Sequence, residues 1–139
     1  MKPLISIVIP SHNRTNLLGQ AIRSIISESG WDSNCELCIS DNSEGDETST
    51  FINTKYNSNP QIVYRRSLDA PSLDENVNMA ISMARGEYVW FFGDDDLIEL
   101  NFLAELIKYL KSSAPDIVIL NSSSFQEQGQ VEGSRQTED

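Results

Sequence analysis

Short apolar runs alternate along the chain with segments of helical periodicity, and this alternation limits the possible folds more than any other feature. The first run, at residues 5–10, is rich in β-branched residues, and the segments between the runs repeat apolar side chains at the spacing of one helical face. Strands that are apolar at consecutive positions suit a parallel sheet, because its strands are buried on both faces. The pattern predicts strands at residues 5–10, 36–40, 62–65, 88–92 and 117–120.

Helices are predicted between these strands, and capping residues mark where two of them begin. Ser72 and Glu75 have the spacing of a capping box, and Asn101 is expected to cap the last helix with its side chain. Strands that alternate with helices predict a three-layer α/β/α fold with a mainly parallel sheet, which binds ligands beyond the carboxyl ends of its strands. We expect this domain to span residues 1–121. The polar residues 122–139 should form a disordered tail or the start of an acceptor-binding region.

The charge of the chain argues against several kinds of partner. Its 21 acidic and 10 basic residues give a net charge of -11, which repels nucleic acid and anionic lipid at long range. No apolar run approaches the roughly 20 residues of a membrane helix, so no transmembrane segment is expected. No signal peptide is evident. These features predict a cytoplasmic protein, with attachment to the inner membrane only through regions outside this sequence.

The two cysteines, Cys35 and Cys38, lie at the second predicted strand. Side chains three positions apart on a strand point to opposite faces, and the single histidine is distant in sequence. Buried thiols are therefore expected here, in preference to a zinc or redox site.

Three consecutive carboxylates, Asp94 to Asp96, follow the fourth predicted strand. Two such charges about 5 Å apart repel by roughly 3 kcal/mol at an effective dielectric near 20. A divalent cation such as Mn²⁺ or Mg²⁺ would offset this repulsion and would also bind phosphate oxygens. The alternative is a solvated acidic turn at the start of a helix.

Two more polar loops are predicted at the same edge of the sheet. The sequence PSHNR follows the first strand and SDNS follows the second. A carboxylate at Asp41 can accept a hydrogen bond from a pyrimidine base. Donors for a base, ribose or phosphate are available from Ser11, His12, Asn13 and Arg14. The convergence of three polar loops favours a nucleotide site over a solvated turn.

Residues 5–120 resemble the inverting family 2 glycosyltransferases, which adopt the A-type nucleotide-sugar transferase fold. The segments that carry the resemblance are ISIVIPSHNR, CELCISDNSEGD, NMAISMARGEY and VWFFGDDD. The second and fourth are especially similar to bacterial O-antigen and capsule sugar transferases, including abequosyltransferase-like enzymes. The resemblance implies that a nucleotide-diphosphate sugar, with a UDP-sugar favoured, binds with Mn²⁺ or Mg²⁺. It also implies transfer of the sugar to a glycan or lipid-linked saccharide acceptor in bacterial surface polysaccharide synthesis.

The same resemblance implies roles for individual residues. Asp95 would be the main metal ligand, with Asp96 assisting, and Asp94 would approach the ribose or the sugar. The nucleotide-binding residues implied in this way are Pro10, Ser11, His12, Asn13, Arg14, Asp41, Asn78, Arg85 and Asp94.

A catalytic base is not identified in this sequence. The resemblance places the base and the acceptor site in a second half of the enzyme, so we expect the base beyond residue 139. A non-catalytic module that holds the donor without transfer remains the alternative. Other nucleotide-binding classes fit poorly, because the G-x-G-x-x-G and G-x-x-x-x-G-K-[ST] motifs are both missing from the sequence. A receiver domain would need its paired acids after the first strand.

Overall fold

A computed structural model describes residues 1–125 and 131–132. In this part of the chain a parallel sheet has the strand order β3-β2-β1-β4, and helices connect successive strands. The three-layer α/β/α fold is therefore confirmed. Its elements are β1 (Ile5–Ser11), α1 (Thr15–Ile26), β2 (Cys35–Asp41), α2 (Glu47–Lys55), β3 (Ile62–Arg66), α3 (Leu73–Ser82), β4 (Tyr88–Phe91) and α4 (Phe102–Ser113).

β1 and β2 are buried on both faces, which explains their continuous apolar runs. β4 is less covered, because its Val89 and Phe91 side chains are exposed. On one face the side chains of Ile7 and Ile9 pack with α1, α2 and α4. On the other face Val8 packs with Cys38 and with Ala80 of α3. Cys35 belongs to the first of these clusters, so the two thiols point to opposite faces as predicted. Both thiols are free, and burial raises the pKa of Cys35 to about 11 and that of Cys38 to about 12.

β1 and β4 separate at their carboxyl ends. β1 pairs with β2 as far as Ser11, but with β4 only as far as Val8. The Val8 carbonyl accepts the last bond from β4, from the N–H of Phe92 at 3.0 Å. Two residues later, the backbone of Pro10 faces the same edge of β1 as Val8. Because β4 has already turned away at this point, the missing N–H of Pro10 costs no hydrogen bond between the strands. The crevice between the two strands lies where the connections of the sheet reverse direction, which is the usual ligand site of such sheets.

The starts of α3 and α4 are capped differently. Ser72 and Glu75 form the predicted capping box on α3. The prediction for α4 is wrong, because Asn101 has a left-handed backbone (φ 66°) and its side chain makes no capping bond. The buried carboxylate of Glu28 caps this helix instead, accepting the N–H groups of Asn101 at 3.0 Å and Leu103 at 3.1 Å. Glu28 thereby joins the end of α1 to the start of α4.

The predicted strand at residues 117–120 is also wrong. Val118 and Leu120 pack against the core, while Ile117 and Ile119 are 81% and 91% exposed. The alternation is that of a strand, but a strand needs a hydrogen-bonded neighbour, and this segment has none among residues 1–125 and 131–132.

The tail expected at residues 122–139 lies largely outside the described residues. Where the structure describes it, β5 (Ser124–Phe125) pairs antiparallel with β6 (Val131–Glu132). Among the described residues, no helix combines the length and apolar character required to cross a bilayer.

Candidate functional site

A cleft of about 440 Å³ opens at the carboxyl ends of β1 and β4. Its volume is within the range of about 300–1,000 Å³ that is usual for small-ligand sites. The loops after β1, β2, β3 and β4 supply its walls together with the first turns of α3. Its lining consists of Pro10, Ser11, His12, Arg14, Asn42, Pro71, Leu73, Asn76 and Asp94. Residues that were predicted from separate segments of the sequence therefore meet in one cavity.

The acidic run after β4 contributes two carboxylates to a common point. Asp94 is buried, and its Oδ2 accepts a 3.0 Å hydrogen bond from the Ser11 hydroxyl. The Nη1 atom of Arg14 lies 3.1 Å from Asp94 Oδ1 and 3.4 Å from Asp95 Oδ2. Asp96 turns back instead, and its Oδ2 accepts the N–H of Gly93 at 3.1 Å. The pair that converges is therefore Asp94 and Asp95, whereas the sequence had indicated Asp95 and Asp96.

This pair fits a divalent cation. Two carboxylate oxygens already approach a single cationic nitrogen, so a positive charge between them is favourable. Within residues 1–125 and 131–132, no three His, Cys, Asp or Glu side chains group into a metal cluster. A cation held here would take its remaining ligands from phosphate oxygens and water, as Mg²⁺ often does beside one or two carboxylates.

The loop after β1 is fastened to the loop after β2 by Asn13. Its backbone is left-handed (φ 53°), a conformation that asparagine tolerates better than most residues. Its N–H donates to the Ser43 hydroxyl at 2.8 Å, and its side-chain oxygen accepts the N–H of Glu44 at 3.1 Å. Asn13 was predicted to bind nucleotide, but the structure uses its backbone N–H and side-chain oxygen to join the two loops.

His12 lines the cleft with a defined tautomer. Its Nδ1 lies 3.1 Å from the backbone oxygen and 2.9 Å from the side-chain oxygen of Asn42. Both of these atoms accept hydrogen bonds, so Nδ1 carries the proton, and Nε2 then accepts from Asn13 at 3.2 Å. The Asn42 amide also donates to the Ala70 carbonyl at 2.9 Å. These bonds join the loops after β1, β2 and β3.

Asp41 lies beneath the cleft and does not form its wall. Its carboxylate is fully buried and accepts hydrogen bonds from the N–H and hydroxyl of Ser43 and from the Tyr64 hydroxyl at 2.7 Å. Burial raises the pKa of Tyr64, and the bond to Asp41 raises it further. The base-binding role predicted for Asp41 is not supported by this geometry, because the carboxylate is fully buried and is not part of the cleft lining.

Asn76 is a cleft residue that the sequence reasoning missed. It is buried, its side-chain nitrogen donates to the Ser11 carbonyl at 3.1 Å, and its oxygen accepts from Ser40 at 2.7 Å. The sequence indicated Asn78, which is exposed on α3, about 200° further round the helix. The helical spacing could have identified Asn76, because Asn76 lies one turn before the buried Ala80 and therefore on the same face of α3.

The structure also places Arg85 away from the cleft. Its backbone N–H and guanidinium bind the buried Glu36 at distances of 2.7 to 2.9 Å. Glu36 lies near the start of β2, about 16 Å along the strand from Asp41 at the cleft end. Burial raises the pKa of Glu36, but the hydrogen bonds from Ser6 and Arg85 outweigh burial and hold that pKa below its usual value. Arg85 therefore neutralises a buried carboxylate at the amino end of the sheet.

Known proteins share this arrangement of sequence and fold. The family model described as Glycosyl transferase family 2 matches residues 6–137. The chain belongs to this family. Abequosyltransferase RfbV from Salmonella typhimurium strain LT2 is 38% identical to it over 112 residues, which is 80% of this chain and 34% of the relative.

Solved structures of S. aureus TarS have a similar fold. The fragment comprising residues 1–349 gives a TM-score of 0.70 at 19% identity, covering 79% of this chain and 33% of that one. The same fragment in complex with UDP-GlcNAc gives a TM-score of 0.68, also at 19% identity, over 79% of this chain and 32% of that one. The chain thus spans about a third of the length of the abequosyltransferase and of these TarS fragments.

Proposed function

We propose that this chain is the donor-binding part of a glycosyltransferase, holding a nucleotide-diphosphate sugar in the cleft together with Mn²⁺ or Mg²⁺. A UDP-sugar is the favoured donor, and the acceptor is a glycan or lipid-linked saccharide in bacterial surface polysaccharide synthesis. Family membership supports the reaction class. The TarS complex with UDP-GlcNAc supports the donor, and the abequosyltransferase supports the pathway.

The observation that carries the proposal is the convergence of Arg14, Asp94 and Asp95 beside the cleft at the switch point of the sheet. A diphosphate needs cationic groups and hydrogen-bond donors, and Arg14 supplies both on the cleft wall. His12 and Asn42 line the same cleft, where a base or ribose would contact them. The hydrogen bond from Ser11 orients the carboxylate of Asp94 on the acidic side of the site.

Asp94 and Asp95 are the residues that would hold the cation. When bound, the cation supplies Lewis-acid stabilisation of the negative charge on the departing nucleotide phosphate. The protein groups position the donor: Arg14 pairs with a phosphate, and the buried Asn76 holds the Ser11 backbone in place. Transfer with inversion also needs a base that accepts the proton of the acceptor hydroxyl. We propose that this base lies beyond residue 139, and the alternative is a module that binds the donor without transferring it.

Calorimetric titration of the purified chain with UDP, CDP, GDP and ADP in Mn²⁺ tests the proposal. We expect UDP to bind most tightly and EDTA to weaken its binding at least tenfold, because the diphosphate completes the coordination of the cation. Asp95→Asn should weaken binding in Mn²⁺ to a similar extent. The matched control is Asp116→Asn, which removes the same charge from an exposed position after α4 and should leave binding unchanged.

Binding that is equal for all four nucleotides would contradict the UDP preference, and binding that is unaffected by EDTA would contradict the cation. Incubation with UDP-sugars and saccharide acceptors separates the two functional alternatives. We expect donor binding without transfer to an acceptor from these 139 residues alone. Product at ordinary enzymatic rates would show that the catalytic base is within this sequence. The candidates would then be Asp94 or Asp96 after β4, and Asp69 and Asp74 before and within α3.

A further inference from the structure

The charge arrangement around Arg14 is unusual for a residue whose role is only to bind phosphate. Its Nη1 atom lies between two carboxylate oxygens, 3.1 Å from Asp94 and 3.4 Å from Asp95. These are the same two carboxylates that the proposed function assigns to the cation. The guanidinium and a divalent cation therefore compete for one position.

We propose that Arg14 is an internal counter-ion that occupies the cation position until a diphosphate draws it away, so that cation and donor bind together and neither binds well alone. The inference rests on the proposed function and deepens it, because it assigns the order of events at the same site. Its basis is the sharing of Asp94 and Asp95 by a side chain that also lines the cleft.

The energetic argument has two sides. In the free protein, Arg14 relieves the repulsion between adjacent carboxylates, one of them buried. A cation that enters alone must break both contacts and leave the guanidinium beside a like charge, so its affinity is reduced. A diphosphate changes this balance, because guanidinium and phosphate form strong, directional, bidentate pairs.

The side chain is suited to such an exchange. It is 52% exposed, so a change in its direction would not disrupt the core, whereas the Asp94 side chain is only 9% exposed and is hydrogen-bonded to Ser11. Arg14 comes directly before α1, whose Leu18 N–H bonds to the Arg14 carbonyl at 2.9 Å. Its backbone is thus anchored while its long side chain is free to turn from the carboxylates to the centre of the cleft.

Titration of the chain with Mn²⁺ alone, followed by the electron paramagnetic resonance signal of free Mn²⁺, tests the inference. Arg14→Met should bind Mn²⁺ about tenfold more tightly than the unchanged protein, because the competing charge is gone. The same variant should bind UDP in EDTA more weakly, because the phosphate partner is gone. Arg65→Met is the matched control, since Arg65 lies on β3, is 47% exposed, is paired with Asp69 and does not line the cleft. It should change neither affinity.

The expected result for Arg14→Met is therefore a higher affinity for Mn²⁺ and a lower affinity for UDP. Weaker or unchanged Mn²⁺ binding by Arg14→Met would overturn the counter-ion role. If circular dichroism shows that this variant is unfolded, Arg14→Gln takes its place, with the same expected tightening. The proposed function is judged separately, by UDP binding to the unchanged protein in Mn²⁺. If UDP did not bind to the unchanged protein, the proposed function would be wrong, and the Mn²⁺ titrations would still test the role of Arg14.

Discussion

Glu36 is the buried charge whose replacement best tests the placement of Arg85 away from the cleft. It is 1% exposed and accepts four hydrogen bonds, from Ser6, from the Arg85 N–H and twice from the Arg85 guanidinium. Glu36→Gln keeps the shape of the side chain and one acceptor oxygen. Its amide nitrogen would face the guanidinium donors, so both bonds from the guanidinium are lost.

We expect Glu36→Gln to lower the free energy of unfolding by about 2–3 kcal/mol at neutral pH. A hydrogen bond to a charged group contributes roughly 1.5–3 kcal/mol, and the exposed guanidinium recovers part of its loss in water. Because the pKa of Glu36 is lowered by folding, its stabilisation is complete above the usual glutamate pKa of about 4.3 and declines as pH falls through the lowered value. The difference between the two proteins should therefore shrink below about pH 4.

Urea denaturation at pH 7 and at pH 3.5, with the slope on urea compared between proteins, measures both effects. UDP affinity in Mn²⁺ should stay within about twofold for the folded variant, because the pair lies about 16 Å along β2 from the cleft end. A stability difference that does not depend on pH would refute the account of Glu36. A large loss of UDP affinity without loss of stability would show that Arg85 belongs to the donor site after all.

Two further predictions concern residues whose roles the structure revises. Asn76→Ala should lower stability by about 1–3 kcal/mol and UDP affinity in Mn²⁺ roughly tenfold, since it frees the Ser11 backbone. Asn78→Ala should change the free energy of unfolding by no more than about 0.5 kcal/mol and leave UDP affinity unchanged. Equal effects of the Asn76 and Asn78 variants in denaturation and calorimetry would contradict the role given to Asn76. Glu28→Ala should lower the free energy of unfolding by about 2–3 kcal/mol, because two N–H groups at the start of α4 lose their acceptor. Asn101→Gly should be neutral or slightly stabilising, since the φ of 66° at this position suits glycine. If Asn101→Gly lost more stability than Glu28→Ala in urea denaturation, Asn101 and not Glu28 would be the cap of α4.

Most of the fold could be predicted because each element satisfies a local rule. The consecutive apolar residues of β1 are buried on both faces, and the capping box of α3 forms between Ser72 and Glu75. The failures were cases in which a distant residue decided the outcome. The start of α4 is capped by Glu28, far away in the sequence. Residues 117–120 have strand-like alternation, but they pair with no strand in the part of the chain that the structure describes.

The candidate site could be predicted only to the level of loops. Parallel strands bring their carboxyl ends to one edge, so Ser11 and Asp94 were expected near each other, and they are hydrogen-bonded. The direction of each side chain depends on local geometry that spacing does not determine. Asp41 points into the protein toward Ser43 and Tyr64. Of the two asparagines on α3, the one that reaches the cleft is Asn76, because Asn76 lies on the buried face of the helix and Asn78 does not.

The acidic run after β4 illustrates why composition alone left its function open. Three carboxylates in sequence are compatible with a solvated turn, and Asp96 behaves in that way by bonding to Gly93. Asp94 and Asp95 differ because Arg14, from a loop eighty residues earlier in the chain, brings a positive charge between them. A positive charge could relieve the repulsion between Asp94 and Asp95 from outside the cleft, but Arg14 also lines the cleft. The combination of shared carboxylates and access to the cleft is therefore the feature that links the acidic run to an anionic ligand.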